Sequence, residues 1–448
     1  MTHDLPSIPI WALIPFVLML AMIAVGPLMF NHWWEHNKNK LIVSLALGIP
    51  MSIYLIYMGL THNLLHTVVF DYIPFIILIG SLFTITGGIH LSGDILAKPT
   101  TNVIFLGLGA ILASVMGTTG AAMLLIRPLI RTNSERKYRV HTILFFIAIV
   151  ANAGGLLTPL GDPPLFLLYL RGASFTWFFH MLPEWAFVIS LLLIIFFIVD
   201  SYYYKKEPQT NIVMDKAMKQ PLKIHGKINF LFLIGVVLAV AFLNEQYLKF
   251  INHNAIGSGP HAYFYMKYIR EIGILLMAVL SIKFTKQAYR NANKFTWDPI
   301  KEVAFLFLGI FITMVPALLY LSQNAAEIGI STPPQFYYAA GALSSFLDNA
   351  PTAASFYELA VGMNPGGKAI LNTPGFPAGI PEILLTAISL GAVFFGAMTY
   401  IGNGPNFMVK AIADENGIKM PSFFGYIFKF TIIVLLPVYI LTQLIFLH

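Results

Sequence analysis

Two aspartates sit where a charge is costly. Asp162 lies in GGLLTPLGDPPLF (Gly154–Phe166), inside an apolar segment that opens near His141 and closes near Leu170; Asp348 lies in LDNAPTAA (Leu347–Ala354). A carboxylate at membrane depth marks function by default. Thr158 accompanies the first, and Asn349 and Thr352 the second. Carboxylates grouped with amide and hydroxyl oxygens suit a hard cation such as Na+, here with Asp162 and Asp348 as its ligands, or a proton. Burial favours the protonated acid and a nearby cation the ionised one, so one Asp can take H+ or Na+ in turn. That competition is antiport chemistry. The same hydroxyls, amides and helix N-termini would equally hold a carboxylate or oxyanion, with Na+ as the coupling ion.

A second stretch repeats the first. GAMTYIGNGPNF (Gly396–Phe407) aligns with Gly155–Phe166 at a constant offset of 241, with five of twelve positions identical: Gly155/Gly396, Thr158/Thr399, Gly161/Gly402, Pro164/Pro405 and Phe166/Phe407. Gly161, Pro163 and Pro164, and then Gly402, Gly404 and Pro405, cannot continue a helix smoothly, so each stretch predicts a break. Broken backbone frees N–H and C=O groups that need a polar cavity or a ligand at that depth. The first break offers Asp162 and Thr158; the second offers Asn403, Asn406 and Thr399.

Something must hold these breaks together. Of 448 residues, 57% are hydrophobic and 10% charged, against about 25% charged in soluble domains. Runs such as IWALIPFVLMLAMIAVGPLMF and FKFTIIVLLPVYILTQLIFL approach the roughly 20 residues that cross a bilayer. The expected fold is an all-α polytopic membrane protein. The first run does not read as a signal peptide, because no Lys or Arg precedes it and no small-residue cleavage site follows. Without Cys there are no disulfides and no thiolate ligands. The net charge of +7 does not point to nucleic acid, because the basic residues alternate between loops.

Lys38 and Lys40, then Arg131, Arg136, Lys137 and Arg139, then Lys205, Lys206, Lys216, Lys219, Lys223 and Lys227, then Lys283, Lys286, Arg290, Lys294 and Lys301, with Lys410 and Lys419, fall on one side. Only Arg171, Lys249, Lys267, Arg270 and Lys368, five of 27 basic residues, fall on the other. The positive-inside rule puts loops 131–140, 201–227 and 285–302 in the cytoplasm and the N-terminus outside. Spans follow at 9–30, 41–59, 71–89, 141–170 and 183–200, then at 228–244, 271–284, 303–322, 382–413 and 425–446. Segment 102–130 has both ends cytoplasmic and GTTG (Gly117–Gly120) at its centre, too short for two crossings. It predicts a re-entrant hairpin with Thr118 and Thr119 at the tip. Segment 335–362 predicts a second hairpin, opening outside, with Asp348, Asn349 and Thr352 at its tip. Residues 1–200 and 228–448 thus read as two inverted repeats of five spans and one hairpin, joined by the basic linker 201–227. LIGSLFT (Leu78–Thr84) and FLGIFIT (Phe307–Thr313) add a weak internal match. Inverted repeats with interrupted helices are transporter architecture.

Other residues read more plainly. Arg127 is expected to send its head to the interface, His90 and Asp94 to be interfacial, His141 to open a span, and Glu358 to face the cavity. Trp33, Trp34, Trp177 and Trp185 are expected in an interfacial belt.

GAAMLLIRP, GGLLTPLGDPP and LDNAPTAA resemble motifs of the ion transporter superfamily, which includes NhaD-type sodium/proton antiporters, ArsB-type arsenite permeases, citrate transporters and the melanosomal P protein. Gly-Asp-Pro-Pro is similar to the arsenite-permease and P-protein branch, and Asp348-Asn349-Ala350-Pro351 to the NhaD-like hairpin. GNGPN departs from that family's Ser-rich second break. The resemblance implies a homodimer in the bacterial inner membrane, with scaffold and transport domains and an elevator-type movement. It implies no enzyme and no cofactor beyond Na+ and H+ as transported or coupling ions, with lipid and a small inorganic ion or anion as partners. The leading expectation is Na+/H+ antiport; the alternative is Na+- or H+-coupled transport of citrate-like carboxylates or arsenite-type oxyanions. An intramembrane aspartyl protease fits poorly, because Pro159 stands where its Gly-x-Gly-Asp motif needs the first Gly. No Gly-x-x-x-x-Gly-Lys-Ser/Thr motif is present, so nucleotide does not drive transport directly.

Overall fold

A computed structural model describes residues 6–244, 247–248, 268–364 and 373–448. Lys249, Lys267 and Lys368, expected outside, lie beyond the described residues. The elements run α1 (Ile14–Met29), α2 (Asn37–Tyr57), α3 (Thr61–Thr86), β1 (His90–Asp94), α4 (Pro99–Met116), α5 (Thr118–Thr132), α6 (Val140–Ile149), α7 (Pro163–Leu170) and α8 (Leu182–Lys205). They continue with α9 (Gln209–Met218), β2 (Gln220–His225), α10 (Ile228–Phe242), α11 (Ile269–Phe284), α12 (Asp298–Gln323), α13 (Pro333–Phe346), α14 (Asn349–Met363), α15 (Glu382–Phe395), α16 (Gly404–Glu415) and α17 (Phe423–Phe446). Among the described residues, eight helical segments are long and apolar enough to cross a bilayer. Large apolar side chains such as Ile49, Ile53, Leu231, Ile272 and Ile433 face outward. In water that surface would be unfavourable; in hydrocarbon it is the normal exterior.

The helices form two sets. In one, α2 packs on α12, α10 on α11 and α11 on α3. In the other, α4 packs on α5, α13 on α15, and α8 on α4 and α17. The sets meet where α12 lies along α14 and α3 touches α5 and α7. At the end of this seam away from residues 201–227, Arg171 follows α7 and reaches Asp71 of α3 (3.2 Å) and Glu358 of α14 (3.7 Å). One cation held between carboxylates of both sets ties them together there.

The predicted spans appear close to their expected ends, except that α3 starts at Thr61, well before the expected 71; three further differences stand out. The first hairpin is longer than 102–130. Its limbs α4 and α5 have 18 and 15 residues, and α4 alone is long enough to cross. It turns back because Gly117 (φ 82°) ends α4 against the first break. The linker is more than a tether: α9 anchors through Asp215, whose carboxylate accepts Ala97 N–H (3.2 Å), and β2 pairs antiparallel with β1. Arg131 at the base of α5 donates to the Gly93 and Leu91 carbonyls of β1 (2.8 and 2.9 Å). Finally, two of the four tryptophans expected in the belt are enclosed by protein. Trp34 packs inside against Gly26. Trp177 is buried and donates to Glu382 (3.0 Å).

Near the linker, Asp200 is fully buried and accepts from Arg136 (2.6 Å), His141 (2.8 Å) and Asn102 (3.0 Å). His141 therefore does more than open a span: it joins a buried ionic cluster that pins α4, α6 and α8 together. His90 and Asp94 lie on β1, as half-buried residues at the linker end.

Candidate functional site

Both predicted breaks are present, and they share one local geometry. After α6 the chain leaves the α-helix at Val150, makes a turn of 3-10 helix (Ala153–Leu157), extends at Thr158 and restarts at Pro163. After α15 it makes a 3-10 turn (Gly396–Met398), extends at Thr399 and restarts at Gly404. Asp162 and Asn403, equivalent under the offset of 241, precede the restarts with φ/ψ of −148°/144° and −148°/138°. Thr158 Oγ1 donates to the Ser114 carbonyl (2.5 Å) and accepts Leu160 N–H (3.1 Å). Thr399 Oγ1 does the same with the Ser345 carbonyl and Ile401 N–H (3.2 Å). Each threonine thus stitches its break to the adjacent hairpin. Thr84 and Thr313 also match, each closing on the carbonyl of Gly80 or Gly309 at 2.7 Å.

The prolines explain where the helices restart. Pro163, Pro164 and Pro405 occupy first-turn positions, whose N–H groups have no helical partner and whose fixed φ suits a helix start. Glycine is needed where the backbones cross. A Cβ on Gly161 would sit 1.9 Å from the Gly155 carbonyl oxygen, and one on Gly402 within 2.7 Å of the Gly396 oxygen.

Asp162 is the hub. Its side chain is buried. Oδ1 accepts from Thr118 Oγ1 (2.7 Å) and Asn403 Nδ2 (3.3 Å), and Oδ2 accepts from Asn349 Nδ2 (2.5 Å). Thr118 N–H also donates to the Gly161 carbonyl (2.8 Å). One carboxylate therefore joins both hairpin tips and both breaks. Asn349 Oδ1 is buried with no donor among the described residues. An unpaired buried acceptor costs about 1–3 kcal/mol, so this one is suited to a cation or a water.

Four helix N-termini meet here: those of α5, α7, α14 and α16 begin at Thr118, after Asp162, after Asp348 and after Asn403. Each N-terminus carries about half a positive charge. The α5 start has Gly117 as its cap residue, with no side-chain cap, and carries Thr119 and Gly120 in its first turn. Both line a cavity of about 40 Å3 beside Asp162, walled on the other side by Leu78, Leu82 and Phe83 of α3. That is room for a few waters or a small ion.

Asp348 stands apart from the hub's hydrogen bonds. Its Oδ1 caps its own helix by accepting Ala350 N–H (3.1 Å), and its carbonyl accepts Thr352 Oγ1 (3.0 Å). Asn406 lies deeper and donates to the Gly396 and Thr399 carbonyls (2.7 and 2.9 Å), holding the second break in shape. Glu358 serves the Arg171 seam and is absent from the cavity wall. Arg127 keeps part of its head inside the protein: its Nη1 is buried without a hydrogen bond among the described residues. Sequence reasoning missed Asn152, which is fully buried. It donates to Asn406 Oδ1 (2.7 Å) and accepts from Asn403 (3.2 Å), so it couples the two breaks. The signal was available: an amide alone in the apolar run FFIAIVANAGGLL.

Comparison with known proteins agrees with this architecture. The chain is 25% identical over 336 residues to a Mycobacterium tuberculosis protein named "Uncharacterized transporter Rv2684", covering 71% of each. It is 25% identical over 344 residues to a "46 kDa membrane protein" of Mycobacterium leprae, again covering 71% of each. A shorter match of 33% over 115 residues, 23% of this chain and 31% of the other, is to the "Inner membrane protein YbiR" of Escherichia coli. Residues 5–447 match the family model CitMHS_2, described as "Putative citrate transport". With that match running almost end to end, the chain belongs to the CitMHS_2 family of membrane transporters.

Proposed function

We propose that this chain is a secondary active transporter of small carboxylates of the citrate type, coupled to a cation, Na+ or H+, taken up at Asp162. The observation that carries this reading is the convergence of four helix N-termini on one buried carboxylate. The four ends together carry about two positive charges; Asp348 offsets one by capping the α14 start and Asp162 offsets the other, so the centre favours an added anion once a proton or cation neutralises Asp162. The uncapped first turn of α5, with Thr119 and Gly120 in the cavity wall, is the seat for a substrate carboxylate. The coupling cation goes to Asp162, beside the unpaired Asn349 carbonyl oxygen.

Coupling follows from charge. At roughly 6 Å and an effective dielectric of about 20, an ionised Asp162 opposes a substrate carboxylate by about 2–3 kcal/mol. A proton or Na+ removes that opposition, so each ligand tightens the other. The cavity in this conformation is too small for a tricarboxylate, so loading requires α3 and the α5 tip to part. An elevator-type movement of hairpins and broken spans past α3 and α12 would do this, with the Asp71–Arg171–Glu358 seam as a contact that must break. In this reading the two halves are inverted repeats, residues 201–227 are cytoplasmic, the N-terminus is outside, and the unit is a homodimer of the bacterial inner membrane.

A second reading is Na+/H+ exchange with no anion. It is favoured by the cavity wall, where Asp162 is the one ionisable residue and no Lys or Arg appears. Proteoliposomes with an internal pH dye separate the two. Citrate-dependent, cation-driven uptake supports the first, and Na+-driven proton movement without citrate supports the second. Neither signal, from protein shown to be folded, would contradict both.

A further inference from the structure

We propose that the linker between α8 and α10 is a docking surface for the anionic phospholipid leaflet beside it. In α9, Asp215 is the buried residue that faces the protein. On other parts of its circumference Val213, Met214 and Met218 are 62%, 57% and 55% exposed. Leu222 and Ile224 of β2 are exposed as well. Lys216, Lys219, Lys223 and Lys227 flank these apolar side chains and are all exposed. A short helix with an outward apolar face and flanking lysines fits the boundary of an anionic bilayer.

The covalent geometry holds it there. α9 begins at Gln209, soon after α8 ends at Lys205, and β2 ends at His225, just before α10 begins at Ile228. At roughly 3.5 Å per extended residue, these connectors keep both ends of the linker within about 15 Å of the span ends, within reach of the headgroup layer, which is roughly 5–8 Å deep on each side. Charge complementarity selects the occupant: four exposed lysines, with the exposed Lys205 and Lys206 at the end of α8, face a leaflet whose anionic lipids attract polybasic segments. The linker is also tied to the working parts. Asp215 holds Ala97 next to α4, β2 holds β1, and Arg131 holds β1 to the base of α5. A lipid-bound linker thereby fixes the base of the first hairpin. None of this depends on what the central site carries.

The test uses the full chain, whose lack of Cys allows a single fluorophore at Met214→Cys. The protein is reconstituted in nanodiscs of phosphatidylcholine alone or mixed with phosphatidylglycerol, each with a quencher on the acyl chains. Quenching in the anionic discs is expected, with the partition weakening about fivefold for each of Lys216→Gln, Lys219→Gln, Lys223→Gln and Lys227→Gln added. Unchanged thermal melting of these variants in neutral discs shows that folding is intact. Equal quenching in both lipids, or none in either, overturns the proposal. Energy transfer between labelled copies without quenching also overturns it and assigns the surface to a second chain.

Discussion

Asp162 receives three donors from three different elements, so its neighbours are unequal partners. Asn403 is the most distant, at 3.3 Å, and it also bonds Asn152 and the Ala151 carbonyl. Asn403→Ala removes one hydrogen bond to a charged group, worth about 1.5–3 kcal/mol. The apparent affinity for the coupling cation should therefore weaken by about 10- to 150-fold, the long bond placing it toward the lower end. Cation titration of uptake in proteoliposomes, with melting as a folding control, reads this directly. An unchanged affinity would mean that the second break is only a kink. Asp348 teaches a different lesson at this scale. An aspartate just before a helix is both a candidate ion ligand and a good N-cap, and composition alone does not separate the two. Here its carboxylate turns to Ala350 N–H.

At the scale of elements, the breaks and hairpins were legible because glycine and proline are backbone instructions. Gly-Asp-Pro-Pro and Gly-Asn-Gly-Pro could not continue a helix, and the offset of 241 showed the same instruction twice. Long-range pairing was not legible. His141 and Asp200 are 59 residues apart, and Asn152 and Asn406 are 254 apart. No periodicity announces contacts that only packing creates. The linker strand was hidden for a similar reason: β2 is a lone exposed strand whose partner lies more than a hundred residues earlier. Gly117 shows how much one backbone position carries. It holds φ 82° and ψ 148°, and a Cβ there would lie 3.3 Å from the Leu160 carbonyl oxygen. Gly117→Ala should add about 1–3 kcal/mol of strain and shift the α5 tip away from Asp162. The expected outcome is a folded protein with uptake reduced at least tenfold. Wild-type uptake by Gly117→Ala would show that the tip does not need its present geometry.

For the whole molecule, the two ends differ in charge and in what they expose. Thr210 lies in the basic linker and Ser331 precedes α13 at the opposite end, and both are exposed. In the Cys-free chain, Thr210→Cys should resist an impermeant thiol reagent added outside intact cells, and Ser331→Cys should react. The reverse pattern would invert the topology proposed here. The arrangement as a whole makes sense if charge at one buried carboxylate decides whether an anion can enter among four helix N-termini. Citrate binding measured calorimetrically in purified wild type and Asp162→Asn, across a series of Na+ concentrations and pH values, tests that most directly. Wild-type affinity should rise with Na+ or with falling pH by about 30- to 150-fold, the equivalent of about 2–3 kcal/mol. Asp162→Asn should bind citrate with an affinity that neither variable changes. Citrate binding by Asp162→Asn that still follows Na+ or pH as in the wild type would contradict the account.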